Sequence, residues 1–427
     1  MPRQRLAPLY FAGSARTTCE TVVFAYLPIA LYQQTGASGL VMIALMTAIP
    51  AVVRFFAAQL WGTAIDRRGR QKPFLLTGLG THVVLLALLA LNDRPEMTVP
   101  LIALGATLYS AFSPAARTMA TLIDEARAAE RGVARKTLPA YLKWESTGWL
   151  IGGIASGFLL DYFPVTMKHL LAGASLMGAL AWAAMALWLK DAPVKGGDFP
   201  RVSQAPQEPA ARRVEEREER SWQRLWQSLS VLYARPEFSG LLVILFFTFF
   251  AREAFFTTYG IYLTESLQGG TTLYGASIGI ATLLGIFLYD AASRLATRWG
   301  SIRLVRTTAS VYVLGYAITV AFPHPWVLAG YFSLPLFPFL TMAAAMAITE
   351  MSAAQERGRG LGILEATDLL AIAVGSVSAG LIATRWGLAA VPVASLSVGS
   401  LGIAASFLLG SLWGPSPSRR RNPAHDP

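Results

Sequence analysis

The chain has 427 residues, 54% of them apolar and only 14% charged, against about 25% charged in an ordinary soluble domain, so too few charges remain to cover a water-soluble globule of this size. A single cysteine, Cys19, excludes an intrachain disulfide, and four widely spaced histidines offer no zinc, haem or iron–sulfur spacing; neither a metal nor a cofactor is expected. The net charge of +11 leaves two readings, a nucleic-acid surface or basic loops on one side of a bilayer, and the placement of the charges decides between them.

A helix needs about 20 apolar residues to cross a bilayer. Such runs recur at 8–28, 40–61, 73–91, 98–123, 138–160 and 168–189, then at 238–264, 272–296, 304–322, 326–349, 361–384 and 388–413, numbered here as spans 1 to 12. The alternating ten-residue strands of an outer-membrane barrel are absent. The pattern predicts an all-α polytopic membrane protein with twelve transmembrane helices in two six-helix halves, residues 1–190 and 237–414. Arg3 and Arg5 ahead of span 1 imitate a signal peptide, but the run is too long for one and is interrupted by Arg16 and Glu20. It reads as an uncleaved first helix.

Residues 191–236 form the linker between the halves. Gly196, Gly197, Pro200, Pro206 and Pro209 lead into a charge run at 212–220, a composition that is usually disordered. Trp222, Leu225, Trp226, Leu229, Leu232 and Tyr233 follow at helical spacing, as in an amphipathic helix lying on a membrane surface. The linker reads as a tether, with a regulatory or partner-binding role as the alternative. Residues 415–427 read as a disordered basic tail.

Only Arg94, Lys168 and Arg385 fall in loops of one side, and Arg16, Arg54, Arg117, Lys143 and Arg252 lie within spans; the other 28 of the 36 basic residues share the opposite side with both termini and the linker. The positive-inside rule makes that side cytoplasmic, in a cytoplasmic (inner) membrane. The +11 is therefore mainly topology, and nucleic acid is not an expected partner.

Two loops recur in the second half. Span 2 ends in Gly62-Thr-Ala-Ile-Asp66-Arg67-Arg68-Gly69-Arg70-Gln-Lys72, and span 8 ends in the related Ser293-Arg-Leu-Ala-Thr297-Arg298-Trp-Gly300-Ser-Ile-Arg303, 231 residues on. Span 4 ends in Asp124, followed by Glu130-Arg131-Gly132; span 10 ends in Glu350, followed by Glu356-Arg357-Gly358, 226 residues on. Two matches at nearly one offset argue for a duplicated six-helix unit. The arrangement resembles the major facilitator superfamily over essentially the whole chain, and 62–72 matches its loop motif Gly-x-x-x-Asp-Arg-x-Gly-Arg-x-Lys. The resemblance implies substrate near the membrane midplane between the halves, with Gly62, Asp66, Arg67, Gly69 and Arg70 forming a latch that closes the inner side in one state. Asp124, Arg131 and Arg357 are the corresponding gating candidates at the ends of spans 4 and 10. Thr297 stands where the second copy would carry its acid, which puts more of that burden on the first. A topogenic basic loop with a structural acid is the plainer reading of the same residues.

Charges inside a bilayer cost several kcal/mol unless paired or hydrated, which makes each a candidate site. Arg16 and Glu20 stand one turn apart in span 1 among Ser14, Thr17, Thr18 and Thr21; Arg252 and Glu253 lie near the middle of span 7. The resemblance places spans 1, 4, 7 and 10 around the substrate. Glu20 is the leading proton-coupling carboxylate, pairing in turn with Arg16 or Arg252; a static ion pair holding span 1 in register is the alternative. In span 11, Glu365 and Asp368 share one face at i,i+3, with repeat equivalents near Lys143 and Glu145. Because the resemblance packs span 2 on span 11 and span 5 on span 8, Arg54 is expected to meet Glu365 or Asp368, and Lys143 to meet Asp290; contacts within one half are the alternative. Arg117 either binds an anionic group or caps the inner loop. Gly148-Trp-Leu-Ile-Gly152-Gly153-Ile-Ala-Ser-Gly157 resembles the antiporter motif of the drug-export branch, with Gly153 in place of its proline; close helix packing explains the same glycines.

These readings converge on a secondary transporter, not an enzyme, working by alternating access. The expected activity is proton-coupled export of a small amphiphilic organic molecule by a monomer in a lipid bilayer. Proton-linked uptake of a sugar or organic acid is the alternative within that class, and a transporter-like membrane sensor or scaffold the alternative outside it.

Overall fold

The computed structural model describes residues 6–131, 137–191, 235–352 and 357–408. All but the ends of the 191–236 linker, with its expected amphipathic helix, lies outside them, as does the 415–427 tail. Within the described helices, the side chains of Gly62, Asp66, Arg67 and Arg131 also lie outside the described part.

Among the described residues there are no strands. In the first half, α1 (Ala7–Thr21) passes through a π-helical turn (Val22–Tyr26) into α2 (Leu27–Thr35); α3 (Leu40–Arg68), α4 (Lys72–Leu91), α5 (Thr98–Tyr109), α6 (Phe112–Arg131), α7 (Thr137–Tyr162) and α8 (Met167–Trp188) follow. In the second, α9 (Pro236–Ile261) ends in a π-helical turn (Tyr262–Ser266), followed by α10 (Gly270–Trp299), α11 (Ser301–Ala321), α12 (Pro325–Phe332), α13 (Leu336–Met351), α14 (Arg357–Trp386) and α15 (Ala390–Leu408). Span 1 is thus α1 with α2, span 4 is α5 with α6, and span 10 is α12 with α13.

Among the described residues, ten stretches are long and apolar enough to cross a membrane. The first, Ala7–Ala57, contains the turn at Gly36–Gly39 and so holds two helices. The segment α7 falls short because glycines and polar residues dilute its apolar content. With both counted, the described helices are consistent with the twelve spans read from the sequence. Large apolar side chains such as Leu104, Phe287, Leu314 and Leu401 are exposed, whereas Arg16, Glu20, His82, Glu145 and Glu253 are buried. This inverts the soluble pattern and matches a lipid-facing surface.

Several irregularities recur in both halves. Spans 1 and 7 each carry a π-helical turn. In span 1 the cause is visible: Pro28, just beyond the turn, supplies no N–H to the preceding carbonyls. Spans 4 and 10 are each broken, at Ser110–Ala111 and at Ser333–Pro335. The expected proline kink in span 10 is a full break, with Pro335 as the N-cap of α13 and Pro338 buried within it. Gly69 ends α3 with φ +60°, a left-handed conformation that glycine adopts without strain, and its N–H reaches Ile65 O at 2.9 Å.

Within the first group α1 packs on α7 and α8, and α4 on α8 and α5; within the second, α9 packs on α14 and α15, and α11 on α13 and α15. Two seams join the groups, α7 against α10 and α3 against α14, which are spans 5 with 8 and 2 with 11. At the first seam Gly153 and Gly275 bring two backbones together: a Cβ on Gly275 would lie 2.2 Å from Gly153 O. Gly148 and Gly152 instead face α1, where Thr18 Oγ1 donates to Gly148 O at 3.0 Å and Thr17 Oγ1 to Glu145 O at 2.6 Å. The glycine motif of span 5 therefore serves two faces, one inside its own group and one across the seam.

Candidate substrate cavity

A cavity of about 1120 Å³ lies between the two groups. Arg16, Glu20, Arg252 and Glu253 line it at mid-depth, and Leu138, Lys143, Asp290 and Ser293 carry it towards the face that bears the basic loops. At the opposite face the groups are joined. The Asp161 carboxylate accepts from Thr272 N at 2.6 Å, Thr271 N at 3.2 Å and Thr271 Oγ1 at 2.6 Å, capping α10 from the end of α7. Gln33 donates to Glu265 at 2.9 Å, and Tyr26 donates to Gly153 O beneath them. The cavity is accordingly closed at that face and extends to the basic one.

The intramembrane charges form two related clusters. Arg16 donates to Glu20 at 2.5 Å and to Glu145 of α7 at 2.8 Å; Glu145 also accepts from Tyr141 at 2.9 Å. Arg252 donates to Asp368 of α14 at 2.8 Å and stands 3.7 Å from Glu253. Each arginine thus holds one acid of its own span and one across a helix contact, spans 1 with 5 and spans 7 with 11. Each also lies over a phenylalanine ring, Phe112 at 5.5 Å and Phe249 at 5.0 Å. The Arg16 and Glu145 side chains are only 10% and 11% exposed, against 23% and 36% for Arg252 and Asp368. Desolvation makes the first cluster costly to disturb, whereas the second keeps more access to solvent.

Two expected seam bridges are absent among the described residues. Asp368 pairs with Arg252 of its own half and not with Arg54, and Lys143 makes no ion pair with Asp290. The seams pack as expected, but a shared seam fixes only which helices touch; rotation about each axis and the separation of the halves at the basic face decide which charges meet. Glu20 likewise pairs with Arg16 alone and not with Arg252. Glu365 is exposed and, like Asp368, stands outside the cavity lining, so the two acids of α14 do not act as a pair there. Arg54, Arg117, Lys143 and Asp290 all line the cavity.

Of the gating candidates, Asp124 accepts from Thr137 N at 2.8 Å and Leu138 N at 3.1 Å, which caps α7 across the 132–136 connection. Its repeat counterpart Glu350 instead accepts from Ser301 Oγ at the start of α11. Arg70 and Arg357 are exposed on the basic face.

The aromatic rings of the cavity wall come mostly from one half. The first half contributes Arg16, Glu20, Arg54, Arg117, Lys143 and Glu145, with one aromatic ring, Trp149. The second contributes Arg252, Glu253 and Asp290 together with seven rings, Phe256, Tyr289, Tyr312, Tyr316, Tyr331, Phe332 and Phe337. These rings support one another: Phe332 stacks on Tyr259 at 3.6 Å, and Tyr289 meets Phe337 edge-on at 5.9 Å. Asp161, the cross-helix role of Glu145 and this aromatic wall were not singled out from sequence. Glu145 carried a signal, as the intramembrane acid that the repeat aligns near Asp368. The aromatic wall carried none, since the chain has 22 Phe, 14 Tyr and 11 Trp, and many of these face lipid.

Two groups of helices clasping a largely apolar cavity that holds buried charges, joined at one face, define a polytopic transport-protein fold. A sequence profile of the Major Facilitator Superfamily matches residues 9–347, and the chain belongs to that superfamily. No curated protein sequence matches it. Among solved structures it is similar to a variant of the nucleoside transporter NupG (14% identity, TM-score 0.73, covering 96% of this chain and 99% of that one). It is also similar to a bacterial homologue of the human lysosomal transporter Spinster (12%, 0.68, 96% and 98%). A POT family transporter solved with 5-aminolevulinic acid gives 12% identity and a TM-score of 0.66, with 95% of each chain covered. At these identities the likeness is one of fold.

Proposed function

We propose that the protein is a secondary active transporter that exports a small amphiphilic organic molecule across a cytoplasmic membrane in exchange for protons. The observation that carries this reading is the cavity between the halves, closed at one face and lined at mid-depth by buried carboxylates that share arginines. With the basic loops cytoplasmic by the positive-inside rule, the conformation is inward-facing. Rocking the halves about the two seams would open the Asp161 face and close the basic one.

Exchange requires a carboxylate that takes and releases a proton as access alternates. Protonating Glu145 would disrupt contacts with both Arg16 and Tyr141. Glu20 is held by Arg16 at 2.5 Å. Glu253 is 9% exposed, and its ion pair with Arg252, at 3.7 Å, is longer than the 2.8 Å bond by which Arg252 holds Asp368. Adding a proton to Glu253 gives up this long ion pair and none of the shorter bonds of the two clusters, so it joins Glu20 as coupling residue and ranks ahead of it.

The test is reconstitution in liposomes with an imposed pH gradient and a panel of amphiphilic substrates. The intact protein is expected to accumulate substrate against its gradient. Glu253→Gln is expected to retain downhill flux and lose the response to the pH gradient. Full gradient-driven accumulation by both Glu253→Gln and Glu20→Gln would refute carboxylate coupling at this site.

A further inference from the structure

We infer that the cavity selects an organic anion built on a planar ring system, with its acidic group held by Arg54, Arg117 and Lys143 and its rings laid on the aromatic wall of the second half. This assignment names the substrate class of the transporter proposed above and rests on that reading for its physiological role.

The charges lining the cavity do not balance once internal pairs are removed. Arg16 is taken by Glu20 and Glu145, and Arg252 by Asp368 with Glu253 beside it. Arg54, Arg117 and Lys143 remain, and none makes an ion pair or a side-chain hydrogen bond among the described residues. Among the described residues the one lining acid left over is Asp290, near the basic end of α10. Three free cations from three different spans, Lys143 among them towards the mouth with the one acid, leave an excess of positive charge that attracts an anion and repels a cation. Two of the three are arginines, whose planar forks suit carboxylate, sulfonate or phosphate oxygens.

The opposite wall supplies the second half of the recognition. Phe256, Tyr289, Phe332 and Phe337 are partly exposed while lining the cavity, and Phe332 is braced from behind by its stack on Tyr259. Rings fixed in this way offer flat faces that lose little freedom on binding. Small-molecule sites span about 300–1,000 Å³, so 1120 Å³ accommodates a ligand of more than one ring together with water. An amphiphile with a flexible chain would leave these flat faces imperfectly covered.

The test is equilibrium binding to the full chain in lipid nanodiscs, with no gradient and with empty nanodiscs as the blank. The probes are 1-naphthoate, 1-naphthylmethylamine, 1-naphthalenemethanol and octanoate. 1-Naphthoate is expected to bind at least about tenfold tighter than either the amine or octanoate. Arg54→Gln and Arg117→Gln are each expected to weaken 1-naphthoate about tenfold while leaving the neutral alcohol within about twofold, which also shows that the variants are folded. Phe332→Leu is expected to weaken both ring compounds alike. Binding of the amine as tightly as the acid, of octanoate as tightly as 1-naphthoate, or of 1-naphthoate unaltered in both arginine variants would overturn the proposal. Selective 1-naphthoate binding with no flux under any gradient would sustain the ligand class and remove the transport reading. Gradient-driven flux of cations with no anion binding would do the reverse.

Discussion

Replacing Asp161 by alanine is expected to release the closed face of the cavity. The side chain belongs to the last turn of α7 in the first half, yet its acceptors serve the first turn of α10 in the second, with bonds of 2.6 and 3.2 Å to two backbone N–H groups and 2.6 Å to the Thr271 hydroxyl. Gly270, at φ +74°, brings the backbone so near that an added Cβ would lie 3.2 Å from Asp161 Oδ2. Loss of a helix cap costs about 0.5–2 kcal/mol, and a charged acceptor with three bonds belongs in the upper half of that range. Under alternating access these bonds exist only while this face is closed. Their loss therefore shifts the equilibrium towards the state open there by about five- to thirtyfold. Distance measurement between spin labels at Glu96 and His324, exposed positions on the two halves at this face, reads that shift directly. The background is simple, because Cys19 is the chain's one cysteine and is buried. The intact protein is expected to show mainly the short distance and Asp161→Ala a second, longer population; Asp161→Asn, which keeps an acceptor oxygen, should fall between. An unchanged distribution in a folded Asp161→Ala protein would refute the assignment of this cap as a gate contact.

Three further outcomes follow from the same geometry. Gly275→Val places carbon within 2.2 Å of Gly153 O and 2.3 Å of the Tyr26 hydroxyl, so thermal unfolding should show a loss of about 1–3 kcal/mol from overpacking. Arg16→Met strands Glu20 and Glu145 in a buried site, which should cost about 3–5 kcal/mol and show as poor yield and early melting; adding Glu145→Leu should recover part of that loss. Asp124→Ala removes the acceptor for Thr137 N and Leu138 N and should lower stability by about 1 kcal/mol, with Asp124→Asn closer to the original, as a thermal-shift assay would show.

What the chain determines by itself is local: where a bilayer-length apolar run occurs, which loops are basic, and which few charges are left inside. Hydropathy and loop charge are properties of contiguous residues, so twelve spans, the repeat at 62–72 and 293–303, and the candidates Arg16, Glu20, Arg252 and Glu253 were all legible. The partners of those charges were not. Arg54 and Arg252 are equally plausible mates for Asp368 from helix order alone, and only the rotation of α9 and α14 about their axes gives the aspartate to Arg252. The same holds for Arg16, whose acid neighbour at i+4 was visible while Glu145, more than a hundred residues away, was not. Which face is closed, through Asp161 and the Gly153–Gly275 contact, depends on how the two halves are tilted against each other. So does the gathering of aromatic rings on the second half's wall of the cavity. Residue order records which side chains a helix carries, whereas a site between helices depends on which of them are turned to face one another.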